Sequence, residues 1–121
     1  MKVLVVDDNP GRRQMIVSAL HNLGHDVLEA FDGDSAIAMY RKHADEIELS
    51  IVDWILPGTD GKGVLKAILE KDAQAKVIMI SGFSRDYVRS QIRLGAWGFL
   101  QKPFSEEELM REINKIFKRV Q

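Results

Sequence analysis

The chain contains no cysteine, which excludes disulfide bonds and metal sites built from thiolates. It has no uninterrupted apolar run of about eighteen residues, the length that would indicate a membrane-spanning helix. Its net charge of -1 gives no electrostatic bias toward nucleic acid or anionic lipid. The first residues, MKVLVVDDNP, are too few and too acidic for a signal peptide. We therefore expect a soluble cytoplasmic protein that binds neither nucleic acid nor membranes directly.

The sequence also lacks linkers, low-complexity tracts and internal repeats. Its 121 residues lie near the commonest domain size, and a domain of this length should bury roughly two-thirds of its unfolded surface. We expect a single domain over residues 1–121, with no room for a separate output domain.

Short β-branched runs alternate with longer segments of helical periodicity. The predicted strands are Lys2–Val6, Asp26–Ala30, Leu49–Asp53, Lys76–Ser81 and Trp97–Gln101. The first, third and fourth are almost entirely apolar at their centres, which is typical of strands covered on both faces. Five successive βα units predict an α/β fold, a doubly wound five-stranded parallel sheet with helices on both faces. For the strand order we adopt, by analogy, the flavodoxin-like order 2-1-3-4-5.

Several helix boundaries are marked in the sequence. Gly24 is placed to end the first helix, and Asp60 to cap the third. Ser105 and Glu108 fit a capping box at the start of the fifth helix. Other helix positions are predicted from apolar spacing alone: Met15, Ile16, Ala19, Leu20 and Leu23 on the first helix, Ile92 on a weaker fourth and Val120 on the fifth.

Acidic residues end two of the predicted strands. Asp7 and Asp8 follow the first strand, and Asp53 ends the third. Doubly wound sheets bind ligands outside the carboxyl ends of their strands, so the three carboxylates share one crevice if these strands are neighbours. Clustered carboxylates repel one another unless a proton or a cation lies among them. Oxygen ligands without histidine or thiolate suit a hard cation, and Mg²⁺ in particular.

Two further strands end in groups that suit a phosphoryl ligand. Ser81 offers a hydroxyl, and Lys102, just past the fifth strand, offers an ammonium. A lone Asp53 would more often be a turn former or a helix cap. Together with a metal site, a hydroxyl and an ammonium, it provides the parts of phosphoryl transfer, which depends mainly on in-line positioning and charge neutralisation.

The segments VVDD, DWILPGTDG, VIMIS and GAWGFLQKPF occur in the order and at the spacing found in receiver domains of two-component response regulators. The chain resembles that family over essentially its whole length. The resemblance implies that Asp53 is the phospho-acceptor. It also implies that Mg²⁺ is held by Asp7, Asp8, Asp53 and the backbone carbonyl of Ile55.

The same resemblance assigns Ser81 and Lys102 to contact with the phosphoryl group, Phe99 to an aromatic switch, and a cis peptide bond to Lys102-Pro103. It implies that a sensor histidine kinase or phosphotransfer protein donates the phosphoryl group. A downstream protein would bind the face made by the fourth helix, fifth strand and fifth helix. Such a domain catalyses only its own phosphorylation and dephosphorylation and is not a turnover enzyme. Homodimerisation, and whether the chain is a stand-alone regulator or a fragment, stay open.

Three positions depart from the commonest family pattern: Leu56 replaces Met, Ser81 replaces Thr and Gly82 replaces Ala. None of these changes removes a reactive group. Ile55 and Phe83 are apolar and are expected to flank the path of an attacking water. We therefore predict slower self-dephosphorylation than in receivers with polar residues at these two positions. The arginines at positions 85, 89 and 93 are interpreted as a solvated face of the fourth helix. The resemblance also implies that they lie beside the surface that receivers commonly use for partners or dimers.

Two other functions use related chemistry. A Mg²⁺-dependent phosphohydrolase of the haloacid dehalogenase type would also form an aspartyl intermediate. It would need a second acid where this chain has Ile55, and a substrate pocket as well. A flavin mononucleotide site on the same fold would need hydroxyls and amides after the first strand, where DDNP offers negative charge.

Overall fold

A computed structural model describes residues 1–91 and 95–119 and shows strands and helices alternating along the chain, as predicted. The strands are β1 (Lys2–Val6), β2 (Asp26–Ala30), β3 (Ile47–Asp53), β4 (Val77–Ser81) and β5 (Gly98–Gln101). The helices are α1 (Pro10–Asn22), α2 (Gly33–His43), α3 (Gly61–Lys71), α4 (Arg85–Gln91) and α5 (Glu106–Arg119). Within the described residues, none of these helices has the length and apolarity needed to span a bilayer. The positions predicted for Ile92, Arg93 and Val120 lie outside the described residues.

All five strands are parallel and lie in the order β2-β1-β3-β4-β5. This confirms the doubly wound, flavodoxin-like α/β fold. Val6 of β1 is in register with Val52 of β3, so Asp7 and Asp53 leave the sheet side by side. The geometric condition for a shared acidic crevice is therefore met.

Each face of the sheet carries its own apolar core. Leu4, Val6 and Val52 pack with the α2, α3 and α4 side, whereas Val3, Val5 and Ile51 pack with α1 and α5. Burying each such side chain completely stabilises the fold by about 1.5–3 kcal/mol relative to leaving it in water. Because side chains alternate along a strand, Asp7 and Asp53 continue the row of Val5 and Ile51 and lie on the α1 side of the sheet.

Helix α1 begins and ends on local signals that the sequence carries. The Asn9 side chain caps its start by accepting a 2.9 Å hydrogen bond from the Arg12 backbone N–H. Gly24, with a φ of 82°, donates to the His21 carbonyl at 2.9 Å and turns the chain away. The prediction that Leu23 lies on the buried face is wrong, because Leu23 is the C-cap beyond the last turn and is 59% exposed.

The other caps are as predicted. Asp60 accepts a 2.9 Å hydrogen bond from the Gly63 backbone N–H at the start of α3. Ser105 and Glu108 form the reciprocal capping box of α5, with bonds of 3.1 and 3.2 Å. Strand β3 starts at Ile47, two residues before the predicted start. The prediction began too late because the charged Glu48 interrupts the apolar run.

Candidate functional site

The polar residues at the strand ends are held by backbone hydrogen bonds that extend the sheet beyond its strands. The Asp7 N–H donates to the Ala30 carbonyl at 3.2 Å, and the Lys102 N–H donates to the Ser81 carbonyl at 2.8 Å. Asp53 is in register with Ile80 of β4. The backbones of Asp7, Asp53, Ser81 and Lys102 are therefore fixed along one edge of the sheet.

Three carboxylates meet at this edge. Asp7, Asp8 and Asp53 each place one oxygen within 4.8 Å of the others. Asp7 and Asp53 are almost completely buried, whereas Asp8 is exposed. Burial raises the pKa of Asp7, and hydrogen bonds from Arg12 and from the Asn9 backbone N–H offset this only in part. The set of hard oxygen donors fits Mg²⁺, and its crowding calls for a compensating cation.

Lys102 is the first cation at the site. Its Nζ lies 2.9 Å from Asp53 Oδ1 and 3.0 Å from Oδ2, so the ammonium contacts both carboxylate oxygens. The peptide bond that follows, Lys102-Pro103, is cis, as expected. The lysine predicted to contact a phosphoryl group is thus already beside the predicted acceptor.

Ser81 ends β4, and the apolar residues Ile55 and Phe83 follow β3 and β4 by two residues each. The Ser81 hydroxyl is buried and accepts a 2.8 Å hydrogen bond from the Phe83 backbone N–H. The Ile55 backbone N–H donates to Asp53 Oδ1 at 3.4 Å. The side chains of Ile55 and Phe83 are 63% and 45% exposed. The backbones of both residues thus adjoin the crevice while their side chains are exposed. The metal-binding role of the Ile55 carbonyl stays a prediction.

Phe99 is buried in the core on the α4 side of the sheet. The guanidinium carbons of Arg85 and Arg89 lie 5.7 and 5.2 Å from the centre of its ring. A cavity of about 140 Å³ lies between Ser81 and Phe99, lined also by Phe83 and Arg85. The interpretation of this arginine row as a solvated face was incomplete, because both residues are exposed and yet contact Phe99.

Arg12 is the site residue that the sequence analysis missed. Its Nε donates to Asp7 Oδ2 at 2.6 Å and its Nη2 to Asp7 Oδ1 at 3.0 Å. The same Nη2 donates to Asp53 Oδ2 at 2.9 Å. Burial alone lowers the pKa of Arg12, but Asp7 and then Asp53 outweigh it and the pKa is raised. One signal was present: Asn9 and Pro10 start α1 directly after the strand, which brings the first helical turn back to the strand end.

The neighbouring Arg13 has different contacts. It donates to the Asp7 backbone carbonyl at 2.9 Å and to Glu29 at 3.2 Å, and its guanidinium lies 4.0 Å from the centre of the Phe31 ring. Of the two arginines in this turn, Arg12 is therefore the one that bonds to the clustered carboxylates.

Residues 3–114 match a family model described as the response regulator receiver domain. The chemotaxis protein CheY of Pseudomonas aeruginosa is 34% identical over 124 residues, which cover 99% of this chain and 98% of that protein. A probable transcriptional regulator, ycf27 of Porphyridium aerugineum, is 32% identical over 98% of this chain and 49% of its own length. The chain thus spans about half of that transcriptional regulator and nearly all of that CheY.

Solved structures share the fold. A chain of the CheX-CheY-BeF3-Mg²⁺ complex from Borrelia burgdorferi superposes with a TM-score of 0.90 and 28% identity, over 97% of this chain and 89% of its own. The receiver domain of the Francisella response regulator 1452 gives a TM-score of 0.85 and 30% identity, over 99% and 98% of the two chains. The sheet order, the strand-end acids and the match over nearly the whole length lead to one conclusion: the chain belongs to the response regulator receiver domain family.

Proposed function

We propose that Asp53 accepts a phosphoryl group from a phosphohistidine on a sensor histidine kinase or phosphotransfer protein. One observation carries the proposal: Asp53 ends the β3 strand at the edge of the crevice, between the ammonium of Lys102 and the guanidinium of Arg12. A carboxylate oxygen there is fixed in position, which phosphoryl transfer requires above all. In the transfer an Asp53 oxygen forms the new P–O bond, the P–N bond breaks, and its electron pair stays on the imidazole nitrogen.

The residues that would hold Mg²⁺ are Asp7, Asp8 and Asp53, together with the backbone carbonyl of Ile55. Their oxygen-only donor set fits this ion, and the related complex from Borrelia burgdorferi contains Mg²⁺. When bound, the ion would neutralise charge on the phosphoryl oxygens. Lys102 would add a second positive charge on its own side, within reach of both Asp53 oxygens.

Ser81 and Phe99 would convert the new phosphoryl group into a change of shape. The Ser81 hydroxyl accepts a hydrogen bond from Phe83 and keeps its own proton, which it can donate to a phosphoryl oxygen. Movement of Ser81 toward that oxygen would alter the cavity that it shares with Phe99. We describe the switch as a population shift between two arrangements of the Phe99 ring.

The output surface would be the face made by α4, β5 and α5. Phe83 and Tyr87 are both 45% exposed near the start of α4, and their ring centres lie 4.8 Å apart. Phe83 also lines the Ser81–Phe99 cavity, so the surroundings of the pair would change when the switch moves. A downstream protein would bind this face, and both it and the kinase would meet the domain in the cytoplasm. The domain itself would turn over no free substrate.

Mass spectrometry tests the assignment of the acceptor. Incubation with Mg²⁺ and acetyl phosphate should add one phosphoryl group to the wild type and none to Asp53→Ala. Asp60→Ala is the matched control, since Asp60 is an acid of the same loop that caps α3, and it should be labelled like the wild type. Labelling of Asp53→Ala would contradict the proposal, and turnover of free phosphate esters would favour a phosphohydrolase.

A further inference from the structure

Arg12 places a protein-borne cation between the two buried carboxylates of the site. It bonds to both oxygens of Asp7 and to one oxygen of Asp53. We propose that Arg12 is an internal counter-ion that competes with the divalent cation for Asp7 and Asp53, and so sets the affinity of this receiver for Mg²⁺. The inference rests on the metal site of the proposed function and adds a residue that determines how strongly the site binds its ion.

The geometry places the two cations in competition for the same oxygens, above all those of Asp7. The planar guanidinium contacts Asp7 through two hydrogen bonds and reaches Asp53 with a third, which is the charge-assisted arrangement that binds carboxylates most strongly. A divalent ion that takes Asp7 as a ligand must use an oxygen that now accepts a bond from Arg12, because both Asp7 oxygens are engaged. Arg12 therefore has to release at least part of this set before the ion can bind.

The charges at the site lead to the same conclusion. Three carboxylates and the cations of Arg12 and Lys102 leave one net negative charge. A divalent ion added beside Arg12 would leave one net positive charge in a largely buried cluster, whereas an ion that displaces Arg12 would leave none. Buried charge without compensation is costly, so displacement is favoured over addition.

The position of Arg12 is held by the fold and is not that of a freely mobile surface side chain. Its backbone N–H is bonded to the capping Asn9, in the first turn of α1. A cation there meets the positive end of the helix dipole, which disfavours it. The bonds to Asp7 and Asp53 offset that cost, while Arg13 in the same turn bonds to Glu29.

Titration with Mg²⁺ tests the proposal without reference to phosphorylation. In a Trp97→Phe background, Trp54 next to Asp53 reports ion binding by its fluorescence, and calorimetry gives the same constant independently. Arg12→Met should lower the half-saturating Mg²⁺ concentration about ten- to hundredfold, the range expected when one or two charge-assisted hydrogen bonds no longer have to be broken. Arg12→Lys keeps the charge but loses the planar guanidinium with its paired N–H donors. Its half-saturating Mg²⁺ concentration should lie between those of the wild type and Arg12→Met.

Arg13→Met is the matched control, because it removes the same charge one residue away and contacts no carboxylate of the site. It should leave the half-saturating concentration close to that of the wild type. Equal Mg²⁺ affinity in the wild type and Arg12→Met would overturn the inference and leave the proposed function standing. Absence of Mg²⁺ binding in every variant would overturn the metal site, and the inference with it.

Thermal unfolding provides a second readout that a change in fluorescence yield cannot imitate. In the presence of chelator, Arg12→Met leaves the clustered acids with Lys102 alone, so its melting temperature should fall below that of the wild type. Added Mg²⁺ should then raise the melting temperature of the variant more than that of the wild type. A variant that is unfolded in chelator should fold when Mg²⁺ is added; equal Mg²⁺-induced shifts, or no recovery, would contradict the proposal.

Discussion

The ammonium of Lys102 lies within 3.0 Å of both carboxylate oxygens of Asp53, although 49 residues separate the two in sequence. The contact is made possible by β4, which pairs with β3 on one side and β5 on the other. The carboxylate at the end of β3 and the ammonium just beyond β5 thus meet across the end of β4, although β3 and β5 do not pair with each other.

Replacing Lys102 by methionine should slow phosphorylation of Asp53. The change keeps the aliphatic stem but removes the charge that would stabilise the transferring phosphoryl group, and we expect a loss of about tenfold or more in rate. Mass spectrometry at timed intervals after addition of acetyl phosphate and Mg²⁺ measures it. Lys76→Met, a change of the same kind at the opposite edge of the sheet, should have no effect; an unchanged rate in Lys102→Met would exclude the assigned role.

Phe83→Glu should shorten the lifetime of the phosphorylated protein. Phe83 is 45% exposed at the rim of the crevice, and a carboxylate there can orient a water that the phenyl ring cannot. Decay of the purified phosphoprotein, followed by mass, gives the lifetime. Leu23→Glu makes a comparable apolar-to-acidic change at the far end of α1 and should leave the lifetime unchanged. If both variants decay at the wild-type rate, the idea that apolar rim residues protect the phosphoryl group is lost.

Gly61→Ala should destabilise the domain and distort the acceptor loop. A methyl group on Gly61 would overlap the Asp53 carbonyl oxygen and would lie 2.7 Å from the Trp54 Cα, both of which are backbone atoms that cannot rotate aside. We expect a loss of about 1–3 kcal/mol in the free energy of unfolding, measured by urea denaturation. Gly82→Ala is the control, since nothing lies within 4 Å of a Cβ there. Equal midpoints for the two variants would show that the loop yields.

Asp32 should make a pH-dependent contribution to stability. Its carboxylate caps α2 by accepting a 2.7 Å bond from the Ser35 backbone N–H and a second bond from the Ser35 hydroxyl, and these bonds lower its pKa below the ordinary value of 3.8. The contribution is complete above pH 3.8 and is lost as the pH falls through the lower pKa of the folded state. Asp32→Asn caps without titrating. The stability difference between wild type and variant, from urea denaturation, should be constant near neutrality and decrease below pH 3.8; a pH-independent difference would contradict the prediction.

Strand-end chemistry was readable from the sequence because it depends on local pattern. The apolar runs before Asp7, Asp53 and Ser81 fixed where each strand stops, and parallel strands deliver their carboxyl ends to one edge. The capping box of Ser105 and Glu108 was equally local. The strand order came by analogy, since the pattern of a strand does not name its neighbours.

The contacts made by long cationic side chains could not be predicted in this way. Arg12 has several rotatable bonds, and its preference for Asp7 and Asp53 over solvent depends on how closely α1 approaches the sheet. The same applies to Arg85 and Arg89 above Phe99, where spacing along a helix showed a common face but not what that face covers. The prediction that Leu23 is buried was wrong for a simpler reason: the helix ends one residue before it.

The hydrogen bond from the Lys102 backbone to the Ser81 carbonyl attaches the ammonium to the sheet through its last strand. During synthesis on the ribosome, the three aspartates of the site and Ser81 emerge before β5 does. A nascent chain of which only the first four βα units have emerged therefore contains Asp53 but not Lys102. The contact between the two forms only when β5 pairs with β4.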